Sequence, residues 1–241
     1  MGGIRACVTP RLRGHTRGYS ARESLLDGTR YPPLRRPRRS EPVFRTVGRM
    51  TLQGALVRLE PLAVRHAAGL AFVGSEHPKA FEWTSYVPLD EDQAREWVQR
   101  VVDDPSLRGF AQVRQSDAAV VGHTALRTLS DRELEGGMTW VAPPVRSTPL
   151  VVEAKVLLLD LAFITLGADR VQFSVDQRNV ASRTSLTRLG ATLIELREND
   201  RPSWARGEEG RSRNSALYAI RAREWEAVRA YNVDRLANWP R

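Results

Sequence analysis

The stretch RSTPLVVEAKVLLLDLAF, residues 146–163, decides the fold. Its apolar residues occur on every side of a helix, and only three charged residues interrupt them: Glu153, Lys155 and Asp160. A helix with so little polar surface must be buried on most sides, so we expect it to pack against a sheet and against further protein. The run is too short for a membrane span, which needs about 20 apolar residues.

The segments around this helix predict a sheet. Three extended segments before it are separated only by Ser116-Asp117 and by residues 130–132, which indicates an antiparallel meander. After the helix the chain alternates strand, helix and strand. A polar loop of about a dozen residues then leads to a last strand and a terminal helix. This order predicts one α/β (mixed α+β) domain whose central mixed, mostly antiparallel sheet is flanked by helices. The predicted strands are 55–62, 109–115, 118–129, 134–142, 169–176, 191–198 and the segment from Asn214, and the predicted helices are 62–74, 90–104, 150–166, 179–190 and the segment ending near Trp225.

The first 49 residues differ from the rest. They hold 12 of the 37 basic residues and 3 of the 28 acidic residues, which leaves 25 of each in residues 50–241. Their Arg, Pro, Gly and Ser content and lack of period predict a disordered extension. It is a nucleic-acid or acidic-partner arm, an organelle transit sequence, or the product of a mis-assigned start. We favour the last, with Met50 as the true start, because the composition changes abruptly there.

Composition excludes several classes. The single cysteine, Cys7, excludes an internal disulfide framework, and four scattered histidines argue against a metal site. Residues 50–241 are neutral overall, so nucleic acid would be contacted only through residues 1–49. Neither a membrane span nor a secretory signal is visible, and we expect a cytoplasmic protein.

Three blocks in order carry a resemblance. They are GGMTWVAPPVRSTPLVVEAKVLLLDLAF (136–163), ADRVQFSVDQRNVASRTSLTRLGA (168–191) and GRSRNSALYAIRAREW (210–225). Together they resemble the GNAT acetyl-CoA-dependent N-acetyltransferases of the RimJ/RimL type, over residues 52–226. The resemblance implies a GNAT-like fold and transfer of the acetyl group of acetyl-CoA to a primary amine by direct attack on the thioester. The acceptor would be a small molecule or a protein N-terminus, and relatives often form homodimers.

The cofactor turn departs from the family pattern. Members hold the pyrophosphate of coenzyme A with Arg/Gln-x-x-Gly-x-Gly/Ala at a helix N-terminus, where glycine lets the backbone approach the phosphates. Arg146 matches, but Pro149 and Val151 replace the glycines, and proline lacks an N–H donor. We therefore expect fewer donors and weaker affinity. The resemblance places the cofactor at Arg146, Ser147, Thr148, Leu150 and Val151.

Two interpretations of this turn remain open. Ser147 or Thr148 caps the helix and leaves the N–H groups of Leu150 and Val151 free for phosphate. Alternatively, residues 146–155 are a plain Ser/Thr-Pro helix start without a ligand.

The next helix begins with Asn179. Its side chain suits an N-cap, and by resemblance it also contacts the pantetheine arm of the cofactor. The commonest family pattern has a tyrosine seven residues later, where this chain has Leu186. Ser182 is our candidate both for cofactor contact and for the acid that returns a proton to the thiolate. A serine in the first turn of a helix is more often an ordinary surface residue with no catalytic role.

A carboxylate must remove the proton of the acceptor ammonium. By resemblance Glu135, before a possible bulge at Gly136-Gly137, is the first choice, and Glu82 is the second. We expect Glu153 to serve the helix dipole or an internal ion pair. A backbone N–H within Thr139–Val141 would polarise the thioester carbonyl, so Trp140 and Val141 join the cofactor contacts.

Substrate selection is expected from residues 76–88. Phe81, Trp83 and Tyr86 suit a pocket for an amine on an apolar body, although packing is an equal explanation. His123 faces the cleft or fills the sheet. A competing hypothesis, based on the lost glycines and the missing tyrosine, is a catalytically weak acyl-CoA-binding or regulatory module of the same fold.

Overall fold

The computed structural model describes residues 50–84, 86–205 and 207–240, and the extension predicted over residues 1–49 lies outside them. The helices are α1 (Ala67–Glu76), α2 (Glu91–Asp103), α3 (Pro149–Asp160), α4 (Val180–Leu189) and α5 (Ala222–Ala237). Short 3₁₀ helices lie at Val64–His66, Pro78–Phe81 and Pro143–Val145, and a π-helical turn at Leu161–Thr165 continues α3. The strands are β1 (Leu52–Gln53), β2 (Val57–Pro61), β3 (Leu107–Arg114), β4 (Val120–Ser130), β5 (Glu133–Val141), β6 (Arg170–Asp176), β7 (Thr192–Pro202) and β8 (Ser212–Arg221).

These strands form one mixed sheet in the order β1-β2-β3-β4-β5-β6-β8-β7. Every neighbouring pair is antiparallel except β5 and β6, which are parallel. The predicted meander corresponds to β3, β4 and β5, so the predicted fold class is confirmed.

The central helix α3 is buried as its composition predicts. Leu150, Val152 and almost every residue from Val156 to Ala162 are buried. The Glu153 carboxylate accepts three backbone N–H groups from residues 55–57, at 2.7–2.9 Å, and so fixes the start of β2. Asp160 accepts from Trp225 Nε1 at 3.0 Å, which joins α3 to α5.

The two faces of the sheet carry different helices. The α2 residues Trp97 and Val101 lie against His123 and Gly109 on one face. On the other face α3 contacts α4 through Lys155, whose Nζ donates to Ser185 Oγ at 2.6 Å. No helix within the described ranges is long and apolar enough to cross a membrane.

The predicted polar loop between residues 198 and 214 is partly wrong. β7 continues to Pro202 and β8 begins at Ser212, so Arg201 and Arg213 are paired strand residues. The strand pattern is hidden in the sequence because these buried or half-buried side chains are charged instead of apolar.

Candidate active site

The parallel strands β5 and β6 separate soon after they begin. They pair only over residues 133–135 and 170–172, with Glu135 opposite Gln172 as the last pair. Beyond this point β5 remains bonded to β4, and β6 to β8. The inner edges of both strands therefore carry backbone groups without a neighbouring strand, on the two sides of a V-shaped cleft.

A bulge in β5 accompanies the separation. Met138 has a φ of 51°, in the left-handed region, directly after the two glycines. The His123 Nδ1–H donates to the Met138 carbonyl at 2.8 Å and holds this distorted backbone. Complete burial lowers the pKa of His123 to about 4, although the hydrogen bond to Met138 opposes this shift. The imidazole is therefore neutral at physiological pH and supports the cleft wall.

The two glycines of β5 have different surroundings. A Cβ on Gly136 would lie 2.5 Å from Phe173 Cε1, so glycine there lets β5 and β6 approach closely. A Cβ on Gly137 would have no atom within 4 Å. Gly137 therefore borders open space, on the same face of the sheet as Glu135.

One backbone group of the expected oxyanion segment points into the cleft. Val141 is opposite Gly122, and the N–H of Ala142 donates to the Val121 carbonyl at 2.8 Å. Because N–H directions alternate along a strand, the N–H of Val141 points away from β4, toward the cleft.

The turn before α3 keeps free donors despite its lost glycines. Ser147 has a φ of 58° and supplies the left-handed position itself. Among the described residues, the N–H groups of Ser147, Thr148 and Leu150 have no acceptor. Free N–H groups around a left-handed residue at a helix N-terminus form an anion-binding concavity. This turn fits the pyrophosphate that the resemblance implies.

The cap that we expected here is wrong. Thr148 occupies the N-cap position, but its hydroxyl donates back to the Val145 carbonyl at 2.7 Å, and no side chain caps α3. The N–H of Val151, expected to be free, donates to the Thr148 carbonyl at 3.3 Å. The donor set is thus shifted toward the N-terminal side of Pro149.

Residues 78–84 link the turn to both cleft walls. Arg146 Nη2 donates to the Ala80 carbonyl at 3.1 Å. Phe81 packs on Trp140 of β5 with ring centroids 4.6 Å apart. The guanidinium of Arg178, which follows β6, lies over the Trp83 ring, with its Cζ 5.4 Å from the ring centroid.

The three predicted substrate residues are not equivalent. Phe81 is fully buried, which agrees with the packing explanation. Tyr86 stacks on Trp97 at 5.9 Å, and its hydroxyl donates to the Gln93 carbonyl, so its contacts are with α2. Trp83 is half-buried beside Arg178 and remains available to a ligand.

Asn179 is the N-cap of α4, as its sequence context predicts. Its Oδ1 accepts from the backbone N–H of Ser182 at 3.0 Å. This places the Ser182 hydroxyl in the first turn of α4, just beyond the end of β6. Leu186, at the position of the missing tyrosine, is buried.

Glu135 lies at the base of the cleft and is paired. Its two carboxylate oxygens accept from Arg201 Nη1 and Nη2, each at 2.9 Å, and Gln172 Nε2 lies 3.3 Å from one of them. Glu82 follows the 3₁₀ helix at 78–81 and is exposed. The two candidate bases therefore differ in burial and in partners.

Two further arginines lie on the Glu135 face of the sheet. Arg178 binds Asp176 Oδ2 at 2.8 Å and Glu208 Oε1 at 2.7 Å. Although burial opposes it, hydrogen bonding from Arg178 keeps the pKa of Asp176 below its usual value. Arg213 is buried, and this burial lowers the pKa of its guanidinium. Sequence reasoning missed these residues. The only signal was the density of charged residues in 197–213, which includes Arg213 but not Arg178.

Lys155 was also not predicted as a special residue. Burial, with a contribution from Arg235, lowers the pKa of its ammonium to about 8. Within the described ranges, no group of three or more His, Cys, Asp or Glu side chains could hold a metal ion.

Comparisons with known proteins agree with this geometry. The family model described as "Acetyltransferase (GNAT) domain" matches residues 57–192. A protein from T. thermophilus assigned as an acetyltransferase is 30% identical, covers 77% of this chain and 96% of its own, and has a TM-score of 0.67. No curated protein matches the chain.

Two more distant structures share the fold. A GCN5-related N-acetyltransferase from Brucella melitensis is 23% identical, with a TM-score of 0.73, and the match covers 79% of this chain and 86% of that one. Mycobacterium smegmatis RimJ in complex with CoA-disulfide is 19% identical, with a TM-score of 0.61, and the match covers 74% and 88% of the two chains.

Proposed function

The chain belongs to the GNAT acetyltransferase family, and we propose that it transfers the acetyl group of acetyl-CoA to a primary amine. The observation that carries this proposal is the cleft between β5 and β6, because it opens beside a helix N-terminus with three free N–H groups. A pantetheine arm needs such backbone donors and acceptors along its length, and its pyrophosphate needs the helix end.

Binding of the cofactor is assigned to backbone groups. The N–H groups of Ser147, Thr148 and Leu150 hold the pyrophosphate, and Arg146 adds a positive charge on the exposed side. Asn179, fixed by its cap to Ser182, lines the mouth on the α4 side. Trp140 contributes to the wall where it packs on Phe81.

The proposed chemistry uses three groups of this chain. Bound acetyl-CoA supplies the activated acetyl group. The Val141 N–H polarises the thioester carbonyl, because it points into the cleft. Glu135 takes the proton from the acceptor ammonium and must share its bond to Arg201 to do so. The neutral amine then forms the C–N bond as the C–S bond breaks, and Ser182 donates a proton to the leaving sulfur while it takes one from the acylated nitrogen.

We further propose that the enzyme is of the RimJ/RimL type and acts in the cytoplasm as a domain of residues 50–241. The three sequence blocks support the type. An acceptor on a protein N-terminus and an acceptor on a small molecule are both compatible with the exposed Glu82 and half-buried Trp83 at the mouth. A relative from Vibrio cholerae, described as a ribosomal-protein-serine acetyltransferase, is only 16% identical and shares the fold alone.

The test uses the full-length protein and two measurements. Calorimetry with acetyl-CoA, and with coenzyme A as a second ligand, should give micromolar dissociation constants, weakened in Asn179→Ala. Release of free thiol from acetyl-CoA should then accelerate with at least one amine of a panel. No binding to folded protein would overturn the proposal. Binding without any amine-dependent release would instead support the catalytically weak acyl-CoA-binding module.

A further inference from the structure

A cluster of charged side chains covers the face of the sheet that Glu135 shares with β6, β8 and β7. Strand alternation and register put Glu135, Asp176, Arg201 and Arg213 on one face, next to the open space at Gly137. Ion pairs join Arg178, Glu208 and Asp200 to these residues. The cluster consists of Glu135, Asp176, Arg178, Asp200, Arg201, Glu208 and Arg213.

Two arginines of the cluster are matched by all four carboxylates. Arg178 binds Asp176 and Glu208. Arg201 binds Glu135 at 2.9 Å, and its Nε lies 3.3 Å from Asp200 Oδ2. These pairs leave Arg213 as the cation of the cluster without a directly bound carboxylate among the described residues.

Arg213 is held in place but is not hydrogen-bonded along one edge. Arg213 is 5% exposed, and its guanidinium lies over the Trp204 ring, 4.7 Å from the ring centroid. Nε and Nη2 are buried and have no acceptor in the described part of the chain. Leaving two charged N–H donors buried and unpaired costs free energy. These two atoms form the edge of a guanidinium that binds a carboxylate through two parallel hydrogen bonds.

Two serine hydroxyls lie on the same face and are also unpaired. Ser215 Oγ and Ser174 Oγ are buried and have no partner among the described residues. Ser215 is two residues after Arg213 on β8 and lies opposite Asp176, the residue two places after Ser174 on β6. The serines therefore add neutral hydroxyl donors on the same face of the sheet as Arg213.

Charge decides between a carboxylate and a phosphate here. Asp176, Asp200 and Glu135 act on Arg213 through their electric field, and none of them accepts from its Nε or Nη2. Because the cluster holds four carboxylates and three arginines, a dianionic phosphate would be repelled about twice as strongly as a monoanion that binds the same edge of Arg213. The access route is the cleft, because Ser174 is half-buried and Gly137 borders open space.

We propose that Arg213, Ser174 and Ser215 form a carboxylate subsite of the acceptor pocket. The acceptor is then a primary amine that also carries a carboxylate, such as an amino acid. This inference rests on the proposed function, since it assigns the acceptor end of the same site.

The test compares matched amines with the full-length enzyme. Thiol release from acetyl-CoA is measured with ω-amino acids of increasing length, with α-amino acids, and with the carboxamide of each. We expect kcat/KM at least about 100-fold higher for one carboxylate than for its carboxamide, because a site built to bind a polar group rejects the analogue that lacks it. Arg213→Lys keeps the charge but loses the paired edge, and should reduce this preference below about tenfold.

The outcomes separate the two proposals. Transfer to amines with no carboxylate preference, or a preference unchanged in Arg213→Lys, overturns the subsite and leaves the acetyltransferase intact. If no amine is acetylated, the proposed function fails, and binding decides the subsite. N-acetyl amino acids should then raise the Tm of the wild type but not of Arg213→Lys, while their carboxamides should raise neither. Absence of that Tm difference overturns the subsite.

Discussion

The two ends of the cleft are built from different kinds of groups. At the turn before α3, the donors are backbone N–H groups, and the left-handed position is occupied by Ser147. On the face that carries Glu135, the groups are side chains from β5, β6 and β7, which are far apart in sequence and are held together by ion pairs. A backbone site tolerates side-chain replacement, whereas a side-chain site changes with each residue.

This difference explains how the chain loses two glycines without losing the turn. Pro149 removes one donor and Val151 bonds back into the helix, yet the N–H groups of residues 147 and 148 remain free. We infer that the lost glycines weaken the binding of acetyl-CoA but do not abolish the site. The acceptor end, in contrast, should carry the identity of the substrate.

The largest effect should come from the acceptor end. Glu135→Gln keeps the shape and loses the base, and we expect kcat to fall by about 10²–10⁴-fold, the usual range for removing a general base. The dissociation constant of acetyl-CoA should change by less than about twofold. Steady-state thiol release and calorimetry measure the two quantities.

Glu82→Gln is the matched control for that change. The residue is exposed at the outer lip, so kcat should stay within about threefold of the wild type. If Glu82→Gln abolishes activity and Glu135→Gln does not, the base is Glu82. Thermal unfolding of both variants must show that the loss is not a folding defect.

The adjacent glycines of β5 give a second test of the comparison. Gly136→Val places a side chain against Phe173 and should lower the free energy of unfolding by about 1–3 kcal/mol, as overpacking does. Gly137→Val places its side chain in open space, so the free energy of unfolding should stay within about 0.5 kcal/mol of the wild type. Urea unfolding measures both.

The Gly137→Val variant should be stable but impaired in its use of the amine substrate. A side chain there protrudes toward the acceptor, so KM for the amine should rise while the protein stays folded. Unchanged KM in Gly137→Val would mean that the acceptor does not use this face, which would weaken the side-chain half of the comparison.

A pH dependence should follow from His123, which supports the cleft wall. Its folded-state pKa of about 4 is below the ordinary value of 6.5, so the unfolded chain binds more protons between these values. The stabilisation that neutral His123 gives to the folded protein is complete above pH 6.5 and is lost as the pH falls toward 4. We expect about 2 kcal/mol less stability at pH 5 than at pH 8 from this residue.

His123→Gln isolates that contribution. Its urea midpoint should depend less on pH between 5 and 8 than that of the wild type. His66 also has a lowered pKa, chiefly from burial, and is present in both proteins, so the difference removes its own titration and keeps only its repulsion of protonated His123. Parallel pH profiles would show that His123 is not the titrating group.

Sequence reasoning predicted the fold and the Asn179 cap because both depend on local patterns. The apolar run of α3, the Asn179 cap and the glycines of β5 are read from neighbouring residues. The charged cluster around Glu135 could not be predicted, because Arg201 contacts Glu135 across 66 residues of sequence. The end of β7 and the start of β8 were predicted as a polar loop for the same reason.

The cap at Thr148 was wrong for a related cause. A Ser-Thr-Pro sequence favours capping, but the preceding 3₁₀ turn places the Val145 carbonyl where it accepts the Thr148 hydroxyl instead. Local propensity predicts which residues compete for a hydrogen bond, and the neighbouring turn decides which partner is reached.

The smallest effect is expected at the cofactor turn itself. Pro149→Ala restores one N–H donor at the start of α3 without adding the flexibility of glycine. The phosphates are already held by other donors, so we expect this extra N–H to contribute about 0.5–1.5 kcal/mol, as an ordinary net hydrogen bond does, and the dissociation constant of acetyl-CoA to fall about 2- to 10-fold. Calorimetry on the full-length protein measures this change.

Val151→Ala is its control, because it shortens a half-buried side chain and leaves every N–H of the turn in place. It should not tighten binding beyond about twofold. If Pro149→Ala fails to tighten binding, the N–H of residue 149 does not face the phosphates, and the donors of residues 147, 148 and 150 already complete the turn. If it tightens binding while the amine preference stays constant, affinity and specificity reside at opposite ends of the cleft, as the contrast between backbone and side-chain construction requires.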